Sequence, residues 1–316
     1  MRATLTAALV CGHLALFAQS PKLTRSGLEA MMKELSNWGR WGKADQLGTV
    51  HLITPAARKA AAALVKDGVS ISVSRPLDTQ KAVDNASPFA SKPNRDGDFL
   101  MDEYTVSYHG FAHTHMDSLA HMFLGGRGYN GVPAPASGGD LKSLTVANYK
   151  EGIFTRGVLV DLPRLKGVKY LEPGTAIYPA DLDAWEKASG TRIGPGDAVL
   201  IRTGRWLRRA EKGPWAAHDR VAGLHASCAR WLKQRDIALF ASDGPGDVLP
   251  SLVEGVSWPL HQLLLVAMGT PMLDNCDLEA LAQAAASRNR STFLLVVAPL
   301  RVENGTGSPV NPIATF

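Results

Sequence analysis

Four short runs of apolar residues set the strongest constraint on the fold of this chain. They lie at residues 158–161, 198–202, 237–241 and 292–298. Runs of this length are typical of strands that are buried on both faces. Patterns typical of amphipathic helices separate or flank them, at residues 179–189, 225–235, 260–268 and 278–288. This alternation predicts an α/β fold.

Weaker signals place the remaining elements. The pattern predicts helices at residues 26–38 and 54–66, the second of them starting at the pair Thr54-Pro55, where Thr caps and Pro fits the first helical position. Strand-like alternation covers residues 69–73 and 103–115, and the polar stretch 80–100 predicts a long loop or flap. No break in composition divides the chain, so residues 21–316 are interpreted as one domain.

Composition and charge exclude several classes of protein. The 316 residues are 45% hydrophobic and 20% charged, which is typical of an ordinary globular protein. The formal net charge is +5, but the basic residues are scattered, and the densest run is only Arg205, Arg208, Arg209 and Lys212. Without a basic arm or stripe, the sequence does not indicate binding to nucleic acid.

The first 20 residues have the pattern of an export signal. Arg2 precedes a mainly apolar run that ends at small residues near Ala18. A buried N-terminal helix is the alternative. We interpret residues 1–20 as a signal peptide and expect a periplasmic or secreted protein, because no other stretch is long and apolar enough to span a membrane. Two cysteines, Cys228 and Cys276, would remain, either as buried thiols or as one disulfide.

A histidine-rich segment carries the clearest chemical signal. Residues 109–121 hold four of the nine histidines, at positions 109, 113, 115 and 121. On an extended strand, alternate side chains share a face, so His113, His115 and Asp117 would point the same way. Two imidazoles and a carboxylate in that arrangement suit a divalent metal ion. His121 follows a predicted bend and is our candidate catalytic residue for proton transfer, or a further ligand.

A purely structural interpretation of this segment is the alternative to a metal site. Histidines can be polar core residues, and Asp117-Ser118 could simply cap a helix. Two histidines and a carboxylate at alternate positions of one strand, followed by another histidine, favour the metal site. His109 falls on the same face of the predicted strand but is the weakest candidate for a ligand.

The same segment resembles the signature of the metal-dependent cyclase-like hydrolases, a family that includes bacterial kynurenine formamidases and isatin hydrolases. The signature reads His-x-Gly-Thr-His-x-Asp-x-Pro-x-His. The matching residues are Thr114, His115, Asp117 and His121. Three residues of this chain differ from the signature: Phe111 occupies the position of its first His, His113 that of its Gly and Leu119 that of its Pro. We therefore take His113 as the substitute for the missing first ligand.

The resemblance extends over residues 38–299. His261 and the pair Asp274-Asn275 resemble a later His and a Glu-Asn pair of the family, which implies that His261 and Asp274 contribute to metal binding. His261 could instead be a polar residue on an apolar helix, and Asp274 could cap the helix near residue 278. For the fold, the resemblance implies a single-domain cyclase-like (swivelling β/β/α) architecture with a mixed β-sheet core and flanking helices.

The predicted function is hydrolysis of a small linear or cyclic amide by water that a divalent metal activates, with Mn²⁺ or Zn²⁺ as the cofactor. The resemblance implies the substrate class, an arylformamide or an isatin-type lactam, and a tendency to form a homodimer. Two alternatives stay open: a metal-dependent cyclase or lyase, and an exported metal- or ligand-binding protein without turnover.

Overall fold

The computed structural model describes residues 23–136 and 141–316. The predicted signal peptide at residues 1–20 lies outside the described residues. In the described chain the helices are α1 (Arg25–Glu34), α2 (Pro55–Ala62), α3 (Leu162–Lys166), α4 (Pro179–Ser189), α5 (Arg205–Lys212), α6 (Cys228–Gln234), α7 (Pro259–His261) and α8 (Glu279–Arg288). Helix α7 continues as a π-helical segment, Gln262–Met268, and a short 3-10 turn covers Leu119–His121.

The strands of the described residues are β1 (Ser70–Ser72), β2 (Ala90–Asp96), β3 (Phe99–Thr105), β4 (His115–Asp117), β5 (Ile153–Asp161), β6 (Ala176–Ile177), β7 (Ala198–Arg202), β8 (Gly223–Leu224), β9 (Leu239–Ser242), β10 (Met272–Asp274), β11 (Thr292–Val297), β12 (Gly307–Pro309) and β13 (Ile313–Thr315). Nine of them form one sheet in the order β1-β13-β11-β5-β7-β9-β10-β4-β12. The four neighbours from β5 to β10 run parallel, and the other pairs are antiparallel.

Alternation along the central strands places a hydrophobic core on each face of the sheet. In β5, Val158 and Val160 face one core, whereas Leu159 faces the other. Because successive side chains of a strand point to opposite faces, a run of consecutive apolar residues is buried only where both faces are covered. The α/β fold with a mixed sheet and flanking helices is as predicted.

Several sequence predictions are confirmed to the residue and others are wrong. The strand at 198–202 and the helix at 179–189 have the predicted bounds. The single strand predicted over residues 103–115 is wrong: β3 ends at Thr105, and β4 begins only at His115, with bends between. The loop predicted at 80–100 is partly wrong, because β2 and β3 form a hairpin.

Two further observations bear on the sequence analysis. Cys228 and Cys276 are buried free thiols, and they pack in different cores. Among the described residues, no helix combines the length and the apolar character that crossing a membrane requires.

Candidate metal centre

Strand β4 presents its polar side chains from the interior of the sheet. It lies between β10 and β12, and His115 is directly opposite Asp274 in the antiparallel register. His115, Asp117 and Asp274 therefore share one face. Met116 and Leu273 point to the other face, where both are buried in a core cluster. The apolar alternate residues thus fix the direction in which the three polar side chains point.

Three more histidines complete the cluster around Asp117. Its Oδ1 lies 3.0 Å from Nδ1 of His109, 3.5 Å from Nε2 of His115 and 3.8 Å from Nδ1 of His121. Its Oδ2 lies 3.8 Å from Nε2 of His261, which is also 3.7 Å from Oδ2 of Asp274. Ligand atoms within 4.8 Å of one another form two sets, His109–His115–Asp117 and Asp117–His261–Asp274. Asp117 belongs to both.

The carboxylates of this cluster lack the partners that buried carboxylates normally have. Both oxygens of Asp117 and Oδ1 of Asp274 are buried and accept no hydrogen bond from the described residues. Burial by itself would raise the pKa of Asp117, but the surrounding imidazoles, His115 first among them, hold that pKa well below its usual range. The protein thus keeps an ionised carboxylate buried with free lone pairs.

Hydrogen bonds orient two of the histidines toward the carboxylates. His261 pairs through Nδ1 with Oδ2 of Asp247 at 2.6 Å, and the backbone N–H groups of Leu260 and His261 donate to the same carboxylate. Nδ1 of His115 lies 2.9 Å from the carbonyl oxygen of His113. In both rings Nε2 is then left to face the cluster, an arrangement typical of histidines that bind metals.

The electrostatics differ between His261 and His121. Burial would lower the pKa of His261, but the hydrogen bond to Asp247 and the proximity of Asp274 raise it above its ordinary value. Burial lowers the pKa of His121, and nearby His109 acts in the same direction against the attraction of Asp117. His121 is therefore neutral at pH 7 and able to accept a proton. Its ring stacks on His109 with centroids 4.2 Å apart.

The segment at residues 110–114 is held by side chains from distant parts of the chain. The amide of Asn275 donates to the carbonyl oxygens of Gly110 and His113, and Oγ1 of Thr114 donates to the carbonyl oxygen of Asn275. The buried guanidinium of Arg205 donates to Oδ1 of Asn275 and to the carbonyl oxygen of Phe111. These bonds replace strand pairing and impose the bends that separate His113 from His115.

The structure brings together five of the six residues that the sequence analysis selected: His115, Asp117, His121, His261 and Asp274. It does not bring His113 to them. Because residues 109–113 bend instead of continuing a strand, the side chain of His113 joins neither ligand set and lines a small neighbouring cavity with Asp84 and His218. His109, the weakest candidate from sequence, lies in its place beside Asp117. The assignment of these residues as ligands stays a prediction.

Sequence reasoning also missed Asp247, which the fold places against His261. Asp247 stands 14 residues before its partner in a turn-rich stretch. No motif spacing marks such a pair. The only available signal was that a metal-binding histidine commonly donates its second ring N–H to a carboxylate.

The cluster opens into a cavity of about 240 Å³. Phe111 and Trp258 form an aromatic wall, with ring centroids 6.2 Å apart, and Trp258 packs edge-on against His261 at 5.3 Å. The remaining wall includes Gly110, Met122 and Pro245. A cavity of this size and lining suits a ligand with one or two rings.

The residues of the cluster fit a divalent cation. They offer imidazole nitrogens and carboxylate oxygens, the donor types that Zn²⁺ and Mn²⁺ accept. The buried, unpartnered oxygens of Asp117 and Asp274 gain a counter-charge if a cation binds, which would offset the cost of their burial. The geometry thus supports a candidate metal centre that Asp117 could share between two ligand sets.

Comparison with known proteins identifies relatives of the chain. The sequence profile of the family described as "Putative cyclase" matches residues 42–246. A crystal structure of a novel cyclase superposes with a TM-score of 0.82 at 30% identity, covering 90% of this chain and 99% of the other. No curated protein matches the chain.

More distant solved structures share the fold. Isatin hydrolase A from Ralstonia solanacearum gives a TM-score of 0.57 at 21% identity, with 83% of this chain and 97% of that chain covered. A predicted metal-dependent hydrolase from Bacillus stearothermophilus gives 0.52 at 16% identity, with 79% and 98% covered. From the profile match and the novel cyclase together, the chain belongs to the cyclase family.

Proposed function

We propose that this protein is a divalent-metal-dependent hydrolase of a small linear or cyclic amide. The observation that carries the proposal is the pair of buried carboxylates, Asp117 and Asp274, whose free oxygens face imidazole rings at the wall of a cavity. The fold relationship to isatin hydrolase and to a predicted metal-dependent hydrolase supports the reaction class. The small aromatic cavity supports an arylformamide or an isatin-type lactam as substrate.

The residues that would hold the cation are His109, His115 and Asp117, with Asp117, His261 and Asp274 as a second set. A bound Mn²⁺ or Zn²⁺ would supply Lewis acidity that activates water and polarises the amide carbonyl. His109 thus replaces His113, the ligand expected from sequence, in this proposal.

Residues of the chain would perform the proton transfers and the positioning. His121 is neutral, half-buried and directed at the cluster through Nδ1, so it can accept a proton from the attacking water and return it to the leaving nitrogen. Phe111 and Trp258 would hold an aromatic ring of the substrate and keep bulk water out of the cavity.

The proposal is tested by stripping the purified protein with a chelator and reloading it with Mn²⁺ or Zn²⁺. We expect the reloaded protein, and not the stripped one, to open isatin or to deformylate N-formylkynurenine. His121→Ala should bind metal as the wild type does and lose most of the activity, which separates proton transfer from metal binding. A reloaded protein that binds metal but turns over no amide in a broad panel would contradict hydrolysis and favour a binding protein.

A further inference from the structure

Arg205 is a buried cation to which the proposed reaction gives no role. Its exposed fraction is 2%, and its guanidinium forms no salt bridge with a carboxylate among the residues that the structure describes. Burial lowers the pKa of Arg205 to about 10, so the side chain is still charged at neutral pH. A buried charge without an opposite charge beside it is costly. Such a cost is typical of a residue that is kept for function and not for stability.

Two hydrogen bonds hold the guanidinium between two parts of the candidate metal centre. Nη1 donates to Oδ1 of Asn275 at 2.5 Å, and Nη2 donates to the carbonyl oxygen of Phe111. Asn275 directly follows Asp274, the last residue of β10, and Phe111 lies two residues after His109. The fork of an arginine reaches two acceptors at once in fixed directions. Arg205 thus connects the strand that carries one candidate ligand with the segment that carries another.

The amide of Asn275 extends this connection. Its NH₂ group donates to the carbonyl oxygens of Gly110 and His113, while its Oδ1 accepts from Arg205. The backbone of Gly110 has φ of +145°, a conformation that residues with a side chain rarely adopt. The bends of residues 110–113 are therefore imposed by side chains from outside the segment.

These bends determine which histidine reaches Asp117. On an extended strand, His109 and His113 would share a face with His115, and the sequence favours His113 as the ligand. In the structure, Nδ1 of His109 lies 3.0 Å from Oδ1 of Asp117, and His113 belongs to neither ligand set. His109 precedes β4 and is not part of a strand. Its position therefore depends on the contacts that hold the bent segment.

The guanidinium of Arg205 also packs on aromatic rings. Its Cζ lies 4.3 Å from the ring centroid of Trp206 and 5.8 Å from that of Phe111. Contacts between a cation and the face of an aromatic ring stabilise a cation that has lost its water. They offset part of the cost of burial and keep the guanidinium beside the bent segment.

We propose that Arg205 is a positioning residue of the candidate metal centre. Through Asn275 and the carbonyl group of Phe111, it holds residues 110–113 in their bent form. The bend places His109, and not His113, beside the carboxylate that both ligand sets share. Arg205 does not line the cavity, so it acts through His109 and not on the substrate. This inference rests on the proposed function, because it requires a cation at the centre.

The experiment is a pair of double-mutant cycles, in which calorimetry measures the affinity of the stripped full chain for Mn²⁺. In the wild type, His109→Phe should weaken binding by at least about tenfold. In Arg205→Lys, which keeps the charge but lacks the fork, the same substitution should cost less than about threefold, because His109 is no longer held in place. His261→Phe should cost the same in both backgrounds, since Asp247 orients His261.

Arg75→Met is the matched control. The guanidinium of Arg75 also lies over Trp206, with Cζ 4.1 Å from the ring centroid. Its side chain donates no hydrogen bond to residues 110–113, all of which the structure describes. Arg75→Met should therefore leave the cost of His109→Phe unchanged. Circular dichroism checks that each variant is folded, and Arg205→Gln is a second variant with the same expected result as Arg205→Lys.

The outcomes separate this inference from the proposed function. An equal cost of His109→Phe in the wild type and in the Arg205 variants would overturn the inference. A cost of His261→Phe that falls together with that of His109→Phe would also overturn it, because Arg205 would then support the whole centre. Mn²⁺ binding with the expected coupling, but without hydrolysis of any amide, would contradict the proposed function alone. A wild type that binds neither Mn²⁺ nor Zn²⁺ would contradict both.

Discussion

Asp117 and Asp243 are both buried, with exposed fractions of 1% and 0%, yet their oxygens have opposite surroundings. Asp243 accepts hydrogen bonds from the backbone N–H groups of Thr203, Gly204 and Arg205 and from the hydroxyl of Thr203. Asp117 accepts none from the described residues. The donors around Asp243 come from the start of α5, where free N–H groups are available to a carboxylate.

The difference distinguishes an acid whose oxygens the chain itself supplies with donors from one whose oxygens it leaves without them. The hydrogen bonds to Asp243 offset part of the cost of burying its carboxylate, and through them Asp243 fastens the β7–α5 turn without any ligand. Asp117 is surrounded by imidazoles that attract it electrostatically but leave its lone pairs free. A buried acceptor without donors is costly unless something outside the chain occupies it. The comparison therefore supports a cation at Asp117 and none at Asp243.

The largest expected effect is the loss of metal binding in Asp117→Asn. Asp117 contributes to both candidate ligand sets, so its replacement should weaken Mn²⁺ or Zn²⁺ binding by more than about 100-fold. This is a larger loss than the one expected when a residue that only orients a metal ligand is replaced. Isothermal titration calorimetry on the stripped protein measures this. Asp243→Asn should leave the affinity nearly unchanged. Equal loss of affinity in both variants would contradict the division between the two acids.

The next largest effect is on the free energy of unfolding. Here Asp243→Asn should be the more damaging substitution of the two, the reverse of their order for metal binding. Asp243→Asn places an amide NH₂ group against backbone donors and should lower the free energy of unfolding by about 2–4 kcal/mol. Asp117→Asn loses no hydrogen bond in the metal-free protein and should cost less. Urea denaturation in the presence of a chelator compares the two variants. A greater loss for Asp117→Asn would show that the imidazole cluster is structural.

A smaller effect is expected from Asp247→Asn, which changes the group that orients His261. Removing the carboxylate partner of a metal-binding histidine typically reduces metal affinity by about 10–100-fold. Titration with Mn²⁺ or Zn²⁺ measures it, and Asp183→Asn, at an exposed carboxylate on α4 that is distant in sequence, is a control. An unchanged affinity would place His261 outside the centre.

The pH dependence of stability sharpens the account of Asp243. Burial raises its pKa from the ordinary value of 3.8 despite the donors around it. The folded state therefore holds the proton more tightly, and the contribution of Asp243 is full below the unfolded pKa and declines as the pH rises through the folded pKa. The difference in the free energy of unfolding between the wild type and Asp243→Asn should therefore become smaller as the pH rises.

Glu186 provides a control, because its pKa is shifted in the opposite direction from that of Asp243. Burial opposes its ionisation, but hydrogen bonds from Arg235 and from the N–H group of Ile193 hold its pKa below the ordinary 4.5. Its contribution is present above that ordinary value and is lost as the pH falls through the lowered pKa. Urea denaturation between about pH 3 and pH 6 should give opposite slopes for Asp243→Asn and Glu186→Gln. Slopes of the same sign would contradict the account.

The sequence predicted what depends on local pattern. The apolar runs located β7 and β11, and the parity of His115 and Asp117 placed both on one face of β4. The bends at residues 109–113 could not be predicted, because they depend on Asn275 and Arg205, which lie more than 90 residues away in sequence. The hairpin of β2 and β3 was missed for another reason: both strands are exposed on both faces, so neither has the alternation of buried and exposed residues that marks a half-buried strand.

The smallest expected effect separates His113 from His109, the one position at which sequence and structure disagree about the cluster. His113 is buried at a neighbouring cavity, and neither ring nitrogen has a hydrogen-bond partner in the described chain. His113→Phe keeps a ring of similar shape in an enclosed space and should change metal affinity by less than about threefold. His109→Phe removes a nitrogen 3.0 Å from Asp117 and should weaken binding by at least about tenfold. Calorimetric titration of both variants decides between the two histidines. The assignment of His109 would be contradicted if His113→Phe lost metal affinity and His109→Phe kept it. In that case the metal-bound protein would have the strand geometry expected from the sequence and not the bends at residues 109–113.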